Sequence, residues 1–133
     1  MPPVITALYG ALNALLNIFL ANRVSTLRRV HKVSIGDGDG EATPMLIAMR
    51  AHANNAEFVP LAIVMMLLAE LCGGNAIALH VFGGSLLLAR IAHPIGMPLK
   101  SPNPYRFLGV AITWAVVVGC AGYVLYLRFR LTA

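Results

Sequence analysis

The chain has 133 residues and a net charge of +5, and 59% of its residues are hydrophobic whereas only 11% are charged. Soluble domains are usually about 45–50% apolar and about 25% charged, and a soluble fold of this length could not bury so much apolar surface. The composition therefore excludes a disordered chain, a nucleic-acid-binding domain and an ordinary cytosolic enzyme. It predicts one integral membrane domain over residues 1–133.

Four long apolar segments are predicted to be membrane-spanning helices, at about residues 3–21, 44–72, 75–97 and 104–127. Each segment reaches the ~20 residues that cross a ~30 Å hydrocarbon core. The segments are continuously apolar rather than alternating, which favours helices over a barrel. The pattern thus predicts an all-α, four-helix membrane bundle, in which the short Gly73-Gly74 connection forces the second and third helices into a tight antiparallel hairpin.

The connecting segments predict the orientation of the bundle. The first loop is predicted over 22–43 and ends in a glycine- and aspartate-rich stretch, 35–41, that favours a solvated turn. The first and third loops hold most of the basic residues outside the apolar segments, namely Arg23, Arg28, Arg29, Lys32 and Lys100, whereas the opposite side carries Arg128 and Arg130. Because basic residues are concentrated in cytoplasmic loops, we expect loops one and three in the cytoplasm.

A polar stripe interrupts the second apolar segment. Arg50, Asn54 and Glu57 are spaced i, i+4 and i+7, which places them on one face of a helix. A central arginine costs about 2.5–3.5 kcal/mol in a membrane helix, so the stripe should face protein or water rather than lipid. Ionisable residues at such positions are functional candidates. The alternative is an Arg50–Glu57 ion pair that only joins helices.

Further basic residues are expected at the same end of the bundle. Arg90 and His93 lie near the end of the third helix, and Arg106 lies at the start of the fourth. Together with the stripe they predict an anion-binding pocket, although a single arginine could instead extend to lipid phosphates. The four histidines lack metal-ligand spacing, so no metal site is predicted. Asn13 and Asn17 form a weaker polar pair on the first helix, for which hydrogen bonding between helices is expected.

The run from Arg50 to Leu61 reads R-A-H-A-N-N-A-E-F-V-P-L and matches the pattern R-A-x-x-N-x-x-E-[YF]-x-P-L of the MAPEG family, membrane-associated proteins in eicosanoid and glutathione metabolism. The stretch 28–38 resembles bacterial members of that family. The resemblance covers nearly the whole chain. It implies a homotrimer of four-helix subunits in the bacterial inner membrane, with glutathione as co-substrate bound between neighbouring subunits at one membrane face.

The resemblance also implies site residues. Carried over one by one, the residues that would bind glutathione are Arg28 or Arg29, Arg50, Asn54, Glu57, Phe58, Arg90 and His93, and Arg106 would activate its thiol as the catalytic residue. The chemistry of these residue types is consistent with that ligand. Glutathione carries two carboxylates and one ammonium, which several arginines and one glutamate complement.

Three functions remain open at this point. The resemblance implies a glutathione transferase or peroxidase that acts on lipophilic electrophiles or lipid hydroperoxides reaching it through the bilayer. Some family tyrosines are replaced here, by Phe58 and by His93 and Met97, which favours instead a glutathione-binding or structural trimer without turnover. The residues alone also allow a small anion transporter or channel subunit.

Overall fold

A computed structural model describes residues 2–37 and 43–132, which form four α-helices. They are α1 (Val4–His31), α2 (Pro44–Leu71), α3 (Ala76–Gly96) and α4 (Pro104–Thr132). All four are long and apolar enough to cross a membrane, as the sequence predicts. Of the predicted solvated turn over 35–41, residues 38–41 lie outside the described part of the chain.

Polar side chains and one glycine determine where the helices begin and end. The side-chain oxygens of Thr43, Asn75 and Asn103 accept hydrogen bonds from the first backbone N–H groups of α2, α3 and α4, which otherwise lack partners. Gly73 has a φ of +77°, a conformation that side chains other than glycine's rarely adopt. This turn closes the predicted hairpin between α2 and α3.

The predicted end of the first helix at residue 21 is wrong, because α1 continues to His31. The prediction followed the apolar pattern, which ends where the helix leaves the hydrocarbon core. The following ten residues are mostly polar but contain no proline or glycine, so nothing in them terminates a helix. The helix ends at Lys32, which adopts the left-handed conformation with a φ of 53°. Similarly, α4 extends five residues past its predicted end, to Thr132.

The bundle is built around α2 and α3. Each of these helices contacts all three others, whereas α1 and α4 make no contact with each other within the described residues. The largest buried cluster joins three helices and consists of Ala62, Met66, Leu86, Val116 and Cys120. At the end where α1 begins, the Glu70 carboxylate accepts hydrogen bonds from the backbone N–H groups of Ile5, at 2.9 Å, and Thr6, at 2.7 Å. A side chain of α2 thereby caps the N-terminus of α1.

Candidate functional site

The Arg90 side chain is the centre of a polar network at the end of the bundle where α3 ends. Its side chain is 1% exposed. One terminal nitrogen, Nη1, donates to Asn54 Oδ1 at 2.9 Å, and the other, Nη2, donates to the carbonyl oxygen of Gly109 at 2.7 Å. Its Nε has no hydrogen-bond partner in the described part of the chain. A buried guanidinium is therefore held between α2 and α4 by two neutral acceptors.

Two glycines set the contact between α3 and α4 that forms this network. A Cβ at Gly109 would lie 2.7 Å from His93 Cβ, and a Cβ at Gly96 would clash with the backbone nitrogen of Arg106. The helices therefore run antiparallel with Gly96 beside Arg106 and His93 beside Gly109. Arg106 consequently lies at the same end of the bundle as Arg90. It is about one turn of α4 nearer that end than Gly109 is.

Arg50 and Glu57 lie about one turn to either side of Asn54, with Arg50 nearer the end of the bundle and Glu57 deeper. Both side chains are exposed on the outer face of α2. Neither makes a hydrogen bond or an ion pair within residues 2–37 and 43–132. Within one subunit Arg50 and Glu57 do not form an ion pair, because the two residues are separated by about two helical turns.

The two arginines near the end of α1 differ in direction. Arg28 is half-buried and extends to α2, where its Nη2 lies 3.5 Å from the sulfur of Met49, the residue next to Arg50. Its Nη1 donates to the carbonyl oxygen of Ser34 at 3.2 Å. Arg29 is exposed and interacts with Thr26 of its own helix at 3.4 Å. Of the two, Arg28 is the one that lies beside the α2 motif.

Phe58 and His93 are held against α4. The half-buried Phe58 ring lies 6.4 Å from the ring of Trp114, measured between centroids. His93 is only 3% exposed and sits against Gly109. Arg106 itself is exposed and lines a depression of about 300 Å³ at the start of α4, together with Asn103, Phe107 and Val110.

The structure thus brings Asn54, Arg90 and His93 into one cluster and places Arg28, Arg50 and Arg106 around the same end of the bundle. The sequence interpretation missed Gly109, whose carbonyl holds Arg90, and Trp114, whose ring covers Phe58. It also missed Asn55, which pairs with Asn17. For Gly109, the signal in the sequence was a glycine one turn after Arg106.

Electrostatically, the site is a concentration of positive charge with a single carboxylate below it. The guanidinium of Arg90 is charged at neutral pH and has no acidic partner among the described residues. The Arg50 and Glu57 side chains provide charges of opposite sign that remain available on the outer face of α2. Such a set can bind a molecule that carries both carboxylate and ammonium groups.

Two comparisons with known proteins identify the family of this chain. Residues 6–126 match the MAPEG family, a range that includes every site residue described above. The chain is 33% identical over 114 residues to "Inner membrane protein YecN" of Escherichia coli K12. The aligned region covers 86% of this chain and 85% of that protein. The same identity and coverage hold for YecN of E. coli O6:H1. The resemblance read from the motif is thereby confirmed, and the chain belongs to the MAPEG family.

Proposed function

We propose that this protein is a membrane-bound, glutathione-dependent transferase or peroxidase, which conjugates glutathione to lipophilic electrophiles or reduces lipid hydroperoxides. The observation that carries the proposal is the buried Arg90, held by Asn54 of the α2 motif and by no acidic group among the described residues. A desolvated guanidinium whose partners are neutral favours an anion nearby. The carboxylates of glutathione meet that requirement.

The residues around Arg90 have distinct roles in this proposal. Arg50 and Arg28 offer further guanidinium groups to carboxylates, and Glu57 accepts from the glutathione ammonium. Glutathione supplies the thiolate nucleophile for either reaction. Arg106, one turn further out than Gly109, acts by holding its positive charge beside the sulfur.

The outer face of α2 supports assembly as a homotrimer. The charged Arg50 and Glu57 share this face with apolar side chains that are also exposed, namely Leu61, Val64, Leu68 and Leu71. Charged groups facing lipid are costly, so a neighbouring subunit that covers this face removes the cost and completes the site. The number of subunits comes from the family resemblance.

The test uses the purified protein in detergent with glutathione. Conjugation of chlorodinitrobenzene is followed by the absorbance of the conjugate, and reduction of a lipid hydroperoxide is followed by glutathione oxidation. Calorimetry measures glutathione binding without turnover. We expect activity in at least one assay, its loss in Asn54→Leu, and wild-type activity in Asn22→Leu, the same substitution at an exposed position of α1.

The outcomes separate the alternatives. Glutathione binding without turnover on either substrate would establish the inactive, glutathione-binding trimer instead. Absence of glutathione binding would reject both of these functions, and chloride flux through liposomes without glutathione would then identify the anion transporter.

A further inference from the structure

A groove between α1 and α2 contains polar groups that the proposed glutathione site does not use. This asparagine groove is lined by Asn13 and Asn17 from α1 and by Asn55, Ala56 and Pro60 from α2. Its volume is about 400 Å³. The lining is otherwise apolar, so the groove combines an apolar mouth with amides at its base.

Two amide oxygens at the base of the groove lack a hydrogen-bond donor. Asn13 and Asn55 are 0% and 2% exposed, and Oδ1 of each has no hydrogen-bond partner among residues 2–37 and 43–132. Their amide nitrogens are occupied, since Asn13 Nδ2 donates to the carbonyl of Tyr9 at 2.8 Å and Asn55 Nδ2 donates to Asn17 Oδ1 at 3.0 Å. An unsatisfied buried acceptor is unfavourable, so these two oxygens favour a ligand that brings a donor.

The backbone supplies one further acceptor. Pro60 lies inside α2 and has no N–H, so it cannot donate the usual helical hydrogen bond to the carbonyl of Ala56. Both residues line the asparagine groove. The Ala56 carbonyl thus lacks the usual donor of a helix, next to the two amide oxygens.

The depth of the groove decides what can supply the donor. Asn13 lies nine residues into α1 from Val4, or about 14 Å along the helix, near the middle of the apolar stretch. Ala14, Ala56 and Pro60 at the rim are exposed on a surface that would face lipid, beside the outer face of α2 that the neighbouring subunit is proposed to cover. A molecule that arrives there comes from the hydrocarbon core, so it must be lipophilic and must carry its donor at one end.

We propose that the asparagine groove binds the O–H end of a lipophilic molecule that enters from the bilayer. An aliphatic alcohol and a lipid hydroperoxide share this chemistry. Identification of the hydroperoxide as the natural ligand rests on the proposed function, and it is supported by position, because Ala56 at the rim directly precedes Glu57 of the glutathione motif. The groove then holds the polar end of the substrate beside the α2 residues that are proposed to bind glutathione.

The test measures binding without glutathione, so that its outcome does not depend on catalysis. The protein in lipid nanodiscs is titrated with radiolabelled dodecan-1-ol, and dodecyl methyl ether serves as the matched competitor that has no O–H. We expect saturable binding of the alcohol and about two- to twelvefold weaker competition by the ether, the factor that about 0.5–1.5 kcal/mol per neutral hydrogen bond supplies.

Variants locate the site. Asn13→Leu keeps a side chain of similar branched shape and removes the acceptor, so it should lower the affinity for the alcohol towards that for the ether. Ala14→Trp should block both ligands from the rim. The control is Asn22→Leu, which makes the same change on an exposed surface of α1 outside the groove and should leave both affinities unchanged.

Equal affinities of the wild-type protein for alcohol and ether would overturn the proposal, as would an unchanged preference in Asn13→Leu. If neither ligand binds saturably, the groove is filled by a neighbouring copy or by acyl chains, which also overturns it. Dodecyl hydroperoxide is then tested as a competitor of the alcohol. If it binds more tightly than dodecan-1-ol, the natural ligand is a hydroperoxide, and if it binds more weakly, the natural ligand is an alcohol. These results stand whether or not the protein turns over glutathione.

Discussion

A buried arginine with neutral partners is the residue-scale feature from which the proposed chemistry follows. The guanidinium of Arg90 donates to Asn54 Oδ1 and to the carbonyl of Gly109, and neither acceptor cancels its charge. Taking a charge out of water without a counter-charge costs several kcal/mol. A bound anion lowers that cost, so the affinity for the ligand and the stability of the site are linked.

Glu57 should recognise the ammonium group of glutathione. Glu57→Gln keeps the shape of the side chain and removes its charge, and hydrogen bonds to charged groups contribute about 1.5–3 kcal/mol. We therefore expect the glutathione affinity, measured by calorimetry, to fall by about ten- to a hundredfold.

Glu70→Gln provides the control at the opposite end of the same helix. Glu70 caps α1 through Ile5 and Thr6, so this variant should lower thermal stability and leave glutathione affinity unchanged. If Glu57→Gln binds glutathione as tightly as the wild-type protein, the ammonium is recognised elsewhere.

Arg106 should lower the thiol pKa of bound glutathione. A free thiol with a pKa of about 8.5 is only slightly ionised at neutral pH. A guanidinium close to the sulfur favours the thiolate and typically lowers the pKa by about 1–3. Thiolate absorbance in the ultraviolet, titrated against pH, should therefore shift to higher pH in Arg106→Leu.

Lys100→Leu is the matched variant for that experiment, since Lys100 is the other exposed cation near the start of α4. Its thiolate titration should match that of the wild-type protein. An unchanged titration in Arg106→Leu with glutathione still bound would remove the activating role, and Arg106 would then be assigned to anchoring α4 at the headgroups.

At the scale of the helices, the contact between α3 and α4 depends on glycine. Gly109 lets α4 approach α3 so closely that its carbonyl reaches Arg90. The same carbonyl accepts from the Thr113 hydroxyl at 2.7 Å. The position of one helix relative to another thus determines whether Arg90 has its second acceptor.

Gly109→Ala should separate the two helices. The new Cβ would meet His93 Cβ at 2.7 Å and the Ala89 carbonyl oxygen at 3.0 Å, and neither atom can rotate away. Overpacking of this kind costs about 1–3 kcal/mol, which denaturation in detergent measures as a loss of unfolding free energy. Glutathione affinity should decrease as well, because the acceptor for Arg90 moves.

Gly122→Ala is the control on the same helix, because no atom of the described residues lies within 4 Å of the added Cβ. Alanine is favoured over glycine in a helix by about 1 kcal/mol, so this variant should be as stable as the wild-type protein or more so. Equal stability of the two alanine variants would mean that the α3–α4 contact is not a close one.

At the scale of the whole molecule, the four-helix subunit leaves charged groups on an outer face of α2. Arg50 and Glu57 have no partner within residues 2–37 and 43–132. A soluble protein could leave such groups in water, but along a membrane helix they need a neighbouring subunit or a water-filled cleft. The proposed trimer places them between subunits.

Light scattering corrected for bound detergent tests the assembly. We expect about three times the subunit mass of 14.2 kDa in mild detergent. A monodisperse particle with the mass of one subunit would contradict the trimer. Glu57→Gln should weaken the assembly as well as glutathione binding, since the same side chain lies in both proposed contacts.

Local patterns in the sequence determined the class of protein and its four helices, because hydropathy and helical spacing are properties of consecutive residues. The same locality explains why the sequence predicted the face shared by Arg50, Asn54 and Glu57, and the motif that identifies the family. It also explains why the predicted end of α1 was wrong, since an apolar pattern reports the membrane and not the end of a helix.

Only the tertiary structure decided which distant residues meet. The bond between Arg90 and Asn54, the direction of Arg28 rather than Arg29, and the pairing of Asn55 with Asn17 depend on the register between helices. That register is set by close approach at glycines such as Gly109 and by packing among residues far apart in the chain. The spacing of residues along one helix carries no information about the register between helices or about this packing.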